Sequence, residues 1–353
     1  MNLKIKRVCA QLEKEELDGL ILSSPANISY LTDYRSRDSY LFVSRKESVY
    51  FTDSRYTEEA QNILKGIRVQ RVDGGLFSNI RDVCHDLGIK CLGFEERHLS
   101  YAEYRKLRKE LPDSLGLAPA YGLVEGLRQI KSEEEVKKIA KAVRIAVKAF
   151  IFIRQYLKPG VKEIEVAGEL ERFIRYNGAG DSAFDIIVAS GPNSSMAHHV
   201  ASERKLKANE PVLIDLGVDY SGYKSDLTRV FFLGKINLLA GKVYKIVREA
   251  QELALKAIKP GKSCAEIDGL ARGYIEKNGY GDYFGHGLGH GVGLEIHEEP
   301  HIGKKQSGIF LQPGMVFTVE PAIYLPGKFG VRLEDMVLVT GKGSEVLSGT
   351  LNK

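Results

Sequence analysis

Ala208–Leu233, ANEPVLIDLGVDYSGYKSDLTRVFFL, decides how this chain folds, because it sets two carboxylates, Asp215 and Asp226, inside what otherwise reads as a buried hairpin. Val212, Leu213 and Ile214 form an apolar strand, Ser221-Gly222 supplies a turn, and Val230, Phe231 and Phe232 continue on the return strand. A bare carboxylate in an apolar sheet is costly, so each aspartate must be paired, protonated or bound to a cation. Two of them, eleven residues apart and expected to face each other across the turn, suggest a cation. A plainer reading stays open at this point: one caps a turn and the other pairs with Arg229 or Lys224.

Val316–Val339, VFTVEPAIYLPGKFGVRLEDMVLV, repeats the device with Glu320 and Glu334. A turn centred on Gly327 puts these glutamates directly opposite each other. Tyr324 shares the strand parity of Glu320, and Arg332 that of Glu334, so all four are expected on one face, with Val319, Val331 and Leu333 on the other.

The histidines fall in the same half. His198, His199, His286, His290, His297 and His301 account for six of the eight. A lone histidine is usually a core or surface residue. Six interleaved with four buried carboxylates point instead to an oxygen-rich cation site with a minority of imidazole, which suits Mn, Co, Fe or Zn rather than a structural zinc site. Four carboxylates exceed what one divalent ion needs, so two ions sharing bridging carboxylates match better. His297-Glu298-Glu299-Pro300-His301 has the HExxH spacing of zinc metalloproteases, a motif that works only on a helix. Pro300 and the glycines of GHGLGHGVG, residues 285–293, argue for extended chain there, with close backbone approach around His286 and His290.

With 353 residues the chain is long enough for two domains, and 43% hydrophobic with 27% charged residues is ordinary globular composition. A net charge of +5, spread along the sequence, gives no reason to expect nucleic acid. No apolar run approaches the roughly 18 residues of a bilayer span, and the N-terminal stretch lacks a signal peptide's apolar segment, so the expectation is a cytoplasmic protein with no membrane contact. Cys9, Cys84, Cys91 and Cys264 lack metal-binding spacing and are expected to be free thiols.

Residues 1–125 read as a small α/β domain: a helix over Ile5–Glu16, a strand at Gly19–Leu22, a hairpin of Tyr40–Val43 with Val49–Phe51, then helices alternating with short strands. His85 and His98 are isolated, and Arg35, Arg37 and Asp38 are expected in a solvated turn. Ser132 with Glu135 forms a capping box opening a long helix that should run to a stop at Lys158-Pro159-Gly160. Residues 126–353 then carry an internal repeat. A shift of 101 residues brings Lys158-Pro159-Gly160 onto Lys259-Pro260-Gly261, Gly168 onto Gly269, Ile174 onto Ile275, Asn177-Gly178 onto Asn278-Gly279, and Gly180-Asp181 onto Gly281-Asp282. This half is therefore expected to be a duplicated α+β unit with pseudo-twofold symmetry and a site between its halves.

The motifs LRQIKSEEE (from Leu127), ASGPNSSMAHH, IDLGVDYSGYKSDLTR, GHGLGHGVGLEIHEEP, TVEPAIY and GVRLED resemble those of the proline-specific metallopeptidases of the pita-bread fold, Xaa-Pro aminopeptidase and Xaa-Pro dipeptidase (prolidase). The N-terminal part is similar, more weakly, to their creatinase-type domain. The resemblance implies that Asp215, Asp226, His290, Glu320 and Glu334 hold two divalent ions, Mn or Co first and Zn or Fe as alternatives, with Asp226 and Glu334 bridging. It implies hydrolysis of the bond before proline by a hydroxide between the two ions, Glu320 carrying the proton, and His198 and His297 as active-site histidines. Arg332 is expected to pair with the carboxylates of the centre, Tyr324 to support it near the substrate, and a homodimer to form. Ala322 stands where the family usually has glycine. His301 stands where prolidases of similar length often carry an arginine for the dipeptide carboxylate. On that residue the expectation leans to an aminopeptidase acting on peptides with proline second, with a strict dipeptidase as the alternative. Methionine aminopeptidases share the fold and comparable ligands but lack the N-terminal domain. A silent peptide-binding relative is the contrasting class, and the five intact ligand positions argue against it.

Overall fold

A computed structural model describes residues 2–353. The chain divides into two compact units, one ending at Arg128 and the other beginning at Gln129. The first is a six-stranded sheet in the order Arg68–Arg71, Ser48–Thr52, Ser39–Ser44, Gly19–Leu22, Cys91–Glu95, Gly116–Ala120. Ser48–Thr52, Ser39–Ser44 and Gly19–Leu22 pair antiparallel in turn, with Tyr40 opposite Phe51, and the remaining pairings are parallel. The first helix spans Leu3–Lys14, not Ile5–Glu16: the Asn2 side chain caps it early by accepting from the Ile5 amide, and Glu16 takes a left-handed φ of 55°. Asp38 is tied to Arg55 at 2.9 Å on the surface, the solvated turn the sequence suggests. All four cysteines are free.

The second unit opens with the capping box: the Glu135 amide donates to Ser132 Oγ, and the Ser132 amide to the Glu135 carboxylate. The helix it starts, Glu133–Ile153, stops before Leu157 because the last turns tighten, Gln155 and Tyr156 donating to Phe152 and Ile153. Two buried clusters follow the repeat. One gathers residues of Glu133–Ile153 and Glu163–Tyr176, the other residues of Leu238–Ala257 and Cys264–Lys277. The antiparallel sheet of Ile187–Ser190, Pro211–Leu216 and Leu227–Phe232 serves both clusters, Leu213 and Val230 on one side, Val212 and Ile214 on the other. Burial on both faces makes Val212–Ile214 a continuous apolar run.

The two repeats make the same backbone contacts. Gly160 and Gly261 donate to the carbonyls of Leu206 and Leu311, both at 2.9 Å, and the amides of Leu206 and Leu311 return bonds to Val161 and Lys262, both at 2.8 Å. Glu163 and Cys264, at matching places in the two helices, donate to Arg204 and Ile309. The unit is the duplicated α+β arrangement that the repeat predicts. Among the described residues no helix is long and apolar enough to cross a membrane.

The glycines near His290 are explained by crowding. A Cβ on Gly289 would lie 1.9 Å from the Thr318 carbonyl oxygen, and one on Gly291 2.2 Å from that of Glu299, whereas one on Gly285 meets nothing within 4 Å. Gly289→Ala is therefore expected to destabilise the unit by about 3 kcal/mol or more, and Gly285→Ala to stay within about 0.5 kcal/mol of the parent. Denaturant melts of the two variants check this, and equal midpoints would overturn the crowding argument.

Candidate active site

The aspartate hairpin turns at Ser221 and Gly222, at φ 54° and 84°. Its register pairs Asp215 with Thr228 and Leu216 with Leu227, so Asp226 lies just past the last rung and diagonal to Asp215. The facing arrangement expected from the spacing is thus corrected: the turn centres between Ser221 and Gly222, one step later than a direct pairing requires. Gly217 permits the splay, since a Cβ there would meet the Ser225 carbonyl oxygen at 2.6 Å. Diagonal neighbours remain within reach of each other's side chains.

The glutamate hairpin keeps the expected register. Val319 pairs with Asp335 and Ala322 with Arg332, which leaves Glu320 and Glu334 opposite each other between the two ladders. There the hairpin passes from the five-stranded sheet to a two-stranded ribbon. The freed amides turn elsewhere, Glu320 to the Leu288 carbonyl and Glu334 to that of Thr228. The glutamates are thereby joined to the glycine-rich strand on one side and the aspartate hairpin on the other.

Neither Arg229 nor Lys224 takes Asp215 or Asp226; Arg229 pairs with Asp335 at 2.6 Å and Lys224 with Asp219 at 3.2 Å. Arg332 is the cation of the centre. It donates to Asp215 Oδ2 at 2.6 Å, Thr228 Oγ1 at 3.0 Å, the Tyr324 hydroxyl at 2.5 Å and the Ala197 carbonyl at 3.3 Å. Thr228 in turn donates to Glu334 at 2.6 Å. His290 Nε2 lies 3.2 Å from Glu320 and 3.6 Å from Asp226, and ligand atoms of Asp226, His290 and Glu334 all fall within 4.8 Å of one another. The other oxygen of Asp215, Oδ1, is buried with no hydrogen-bond partner.

Burial, reinforced by the charges of Glu334, Asp215 and Glu320, raises the Asp226 carboxyl well above its ordinary range. Burial with Glu320 and Asp215 does the same to Glu334, and burial outweighs Arg332 in raising Asp215. For Glu320, the hydrogen bond and charge of His290 overcome burial and hold it down to about 2. His290 is raised in return, Glu320 outweighing burial.

A cavity of about 1190 Å³ opens here, and all ten candidate residues line it: His198, Asp215, Asp226, His290, His297, His301, Glu320, Tyr324, Arg332 and Glu334. The His290 and His297 rings meet edge to face with centroids 4.2 Å apart. Residues 298–302 form a strand, not a helix, so the HExxH spacing has no zincin geometry. Lys131, from the LRQIKSEEE motif, meets Glu298 in a buried ion pair at 2.8 Å and fixes the chain beside His297. His301 is half exposed, 3.9 Å from Glu299. His286, which the sequence reading left without a role, also lines the cavity, its Nε2 3.4 Å from the Tyr324 hydroxyl. Its four-residue spacing from His290, one face of an extended chain, is the signal that marks it. Arg272, also unmarked by sequence, holds that loop by donating to the carbonyls of Phe284 and His286 while paired with buried Asp268.

Residues 4–130 match the creatinase/prolidase N-terminal domain and residues 137–341 match metallopeptidase family M24. A Xaa-Pro dipeptidase from Bacillus anthracis is 40% identical, with a TM-score of 0.94 over 98% of this chain and 96% of that one. A Xaa-Pro dipeptidase from Pyrococcus horikoshii is 36% identical over 99% of this chain and 98% of its own. An X-Pro aminopeptidase from Thermotoga maritima is 35% identical, with a TM-score of 0.88 over 96% and 97% of the two chains. The two hairpins, the glycine-rich strand and the cavity between them therefore sit in a chain that belongs to metallopeptidase family M24, a Xaa-Pro metallopeptidase with a creatinase-type N-terminal domain.

Proposed function

We propose that this enzyme is a Xaa-Pro dipeptidase that hydrolyses the bond before a C-terminal proline and works with two divalent ions, Mn or Co in preference to Zn or Fe. The observation that carries the cation requirement is the cluster of three buried carboxylates and a partly buried fourth, Glu320, around one imidazole. Burial, reinforced by neighbouring carboxylate charge, raises Asp226 and Glu334, and Asp215 Oδ1 has no partner. These donors fit hard or borderline divalent ions. Asp215, Asp226, His290, Glu320 and Glu334 would hold them. Bound there, such ions would lower the pKa of a water to near neutrality and polarise the scissile carbonyl.

The chain's own groups do the rest. Glu320, ionised in the resting state, can take a proton from the attacking water and deliver it to the proline nitrogen, which leaves as an amine. His198 and His297 can donate hydrogen bonds to the developing oxyanion. Arg332 neutralises Asp215 and holds the Tyr324 hydroxyl toward the cavity. On this reading His301, a half-exposed residue of the cavity lining, meets the substrate carboxylate. Histidine at 301 alone favours an aminopeptidase. The named dipeptidases matched along nearly their whole length favour the dipeptide reading over it.

Hydrolysis of Ala-Pro and Ala-Pro-Ala by the Mn- or Co-loaded enzyme, with a chelator control, separates the readings. The expected result is chelator-sensitive cleavage with kcat/KM about 10-fold or more higher for the dipeptide. Preference for the tripeptide would make it an aminopeptidase, and no chelator-sensitive cleavage of either would overturn the peptidase reading.

The repelling carboxyls give a second test. Without metal, folded Asp226 and Glu334 keep protons that the unfolded chain gives up above its ordinary values of 3.8 and 4.5. The folded state then binds more protons, so metal-free stability falls as pH rises through and beyond that range. Asp226→Asn combined with Glu334→Gln removes this cost. In chelator the double variant is expected to melt several degrees above the parent at about pH 7 and to lose that lead near about pH 4. Divalent ion should stabilise only the parent. A lower variant midpoint at neutral pH would overturn the repulsion argument.

A further inference from the structure

His198 reaches the cavity from a loop. The chain leaves the strand Ile187–Ser190, makes a short turn over Gly191–Ser195 and runs irregularly to Ser202. A group that must meet a developing charge has to be held to a fraction of an ångström, and a loop does so only when anchored. Two anchors come from the glutamate hairpin: the Gly330 amide donates to Ser194 Oγ at 2.9 Å, and Arg332 donates to the Ala197 carbonyl. The opposite side of the loop is held by one buried carboxylate.

Glu163, at the first position of the helix Glu163–Tyr176, has a wholly buried side chain on which six donors converge. The amide and hydroxyl of Ser190 reach Oε1, both at 2.7 Å. The Asn193 side chain reaches both oxygens at 3.1 Å. The amide and hydroxyl of Ser202 reach Oε2 at 3.2 and 2.6 Å. The His199 ring donates from Nε2 to Oε2 at 2.9 Å. Burial pushes this carboxyl up, but the bonds from Ser202, His199 and Ser190 outweigh it and hold the group below its ordinary value. Hydrogen bonds to an ionised acceptor are the strong ones, and a helix N-terminus favours the charge. The folding of the repeat does not demand an acid here, because the matching position in the second copy is Cys264, which makes the same backbone bond. Glu163 is thus specific to the half that carries the histidine loop.

We infer that Glu163, acting through His199, is a positioning residue for His198. Both chain neighbours of His198 are then fixed from opposite sides, the Ala197 carbonyl by Arg332 and the His199 ring by Glu163. The inference rests on the reading that His198 serves the hydrolysis of Xaa-Pro dipeptides.

Kinetics of the Mn-loaded full chain on Ala-Pro test it, using Glu163→Gln, His199→Ala, His199→Gln, His198→Ala and the Glu163→Gln/His198→Ala double variant, with Mn content measured for each. Glu163→Gln and His199→Ala are expected to lower kcat by about 10- to 100-fold with KM and Mn content unchanged. His199→Gln, which keeps a donor, should recover part of the loss. In the His198→Ala background, Glu163→Gln should cost nothing further, because the group it positions is gone. Should Glu163→Gln fail to fold, the His199 variants and a His199→Ala/His198→Ala pair carry the same test. Additive losses, or loss through Mn content, would overturn the positioning role alone. An unchanged kcat in His198→Ala would overturn the reading of His198 and this inference with it.

Discussion

Four carboxylates held together in an apolar seam, three of them buried and Glu320 partly so, form the constraint to which the rest of the catalytic unit answers. Only one guanidinium, that of Arg332, touches them among the described ion pairs, and it reaches Asp215 alone. One guanidinium against four acids leaves net negative charge on largely desolvated groups, and burial together with that repulsion raises the carboxyls of Asp226 and Glu334. Neighbouring polar groups are spent on the same deficit. Thr228 accepts from Arg332 and donates to Glu334, Thr318 donates to Glu320, and His290 leans on Glu320. A structural role would be met more cheaply by apolar residues. The site is intelligible only as one that expects cations.

Duplication explains how so much charge is held rigidly. Each copy buries its own helix pair in its own apolar cluster, and the polar hairpins meet between the clusters. The ladders that carry the acids continue on both sides, Val319 with Asp335 below the glutamates and Ala322 with Arg332 above. The acids cannot move apart to relieve their repulsion without breaking those ladders. Held this close, the acids would have their repulsion relieved by a bound cation.

Much of this was legible in the sequence, and the parts that were not share a reason. Asp and Glu inside β-branched runs and equal spacing about Gly327 are local signals that marked the four carboxylates, Tyr324 and Arg332, whereas His198, His290, His297 and His301 were marked by the resemblance of their motifs to a known family. Register about a two-residue turn is decided by which residues accept left-handed φ. Ser221 and Gly222 both do, so the aspartates came out diagonal instead of opposed. The helix from Glu133 stopped at Ile153 because its end tightens, which apolar periodicity does not encode. Arg272, Glu163 and Lys131 carry no motif of their own. Each acts on a loop or strand more than ten residues away in sequence or on the carbonyls it presents, and such partners become visible only when the chain has folded.

The two copies also show what duplication does not supply. The helix starts are superimposable in their bonding, since Glu165 and Glu266 each accept from the amide three residues earlier and the paired backbone contacts recur. Chemistry is then distributed unequally. The first copy places a carboxylate at Glu163 and a loop bearing His198 after it; the second places Cys264 at the matching position, packed and buried, and a glycine-rich strand bearing His290. A glycine strand needs no hub, because close backbone approach at Gly289 and Gly291 already fixes it. A loop has no such ladder, and a buried acid with six donors is the substitute. The same frame thus solves the placement of two histidines by two different means, sterically in one half and electrostatically in the other.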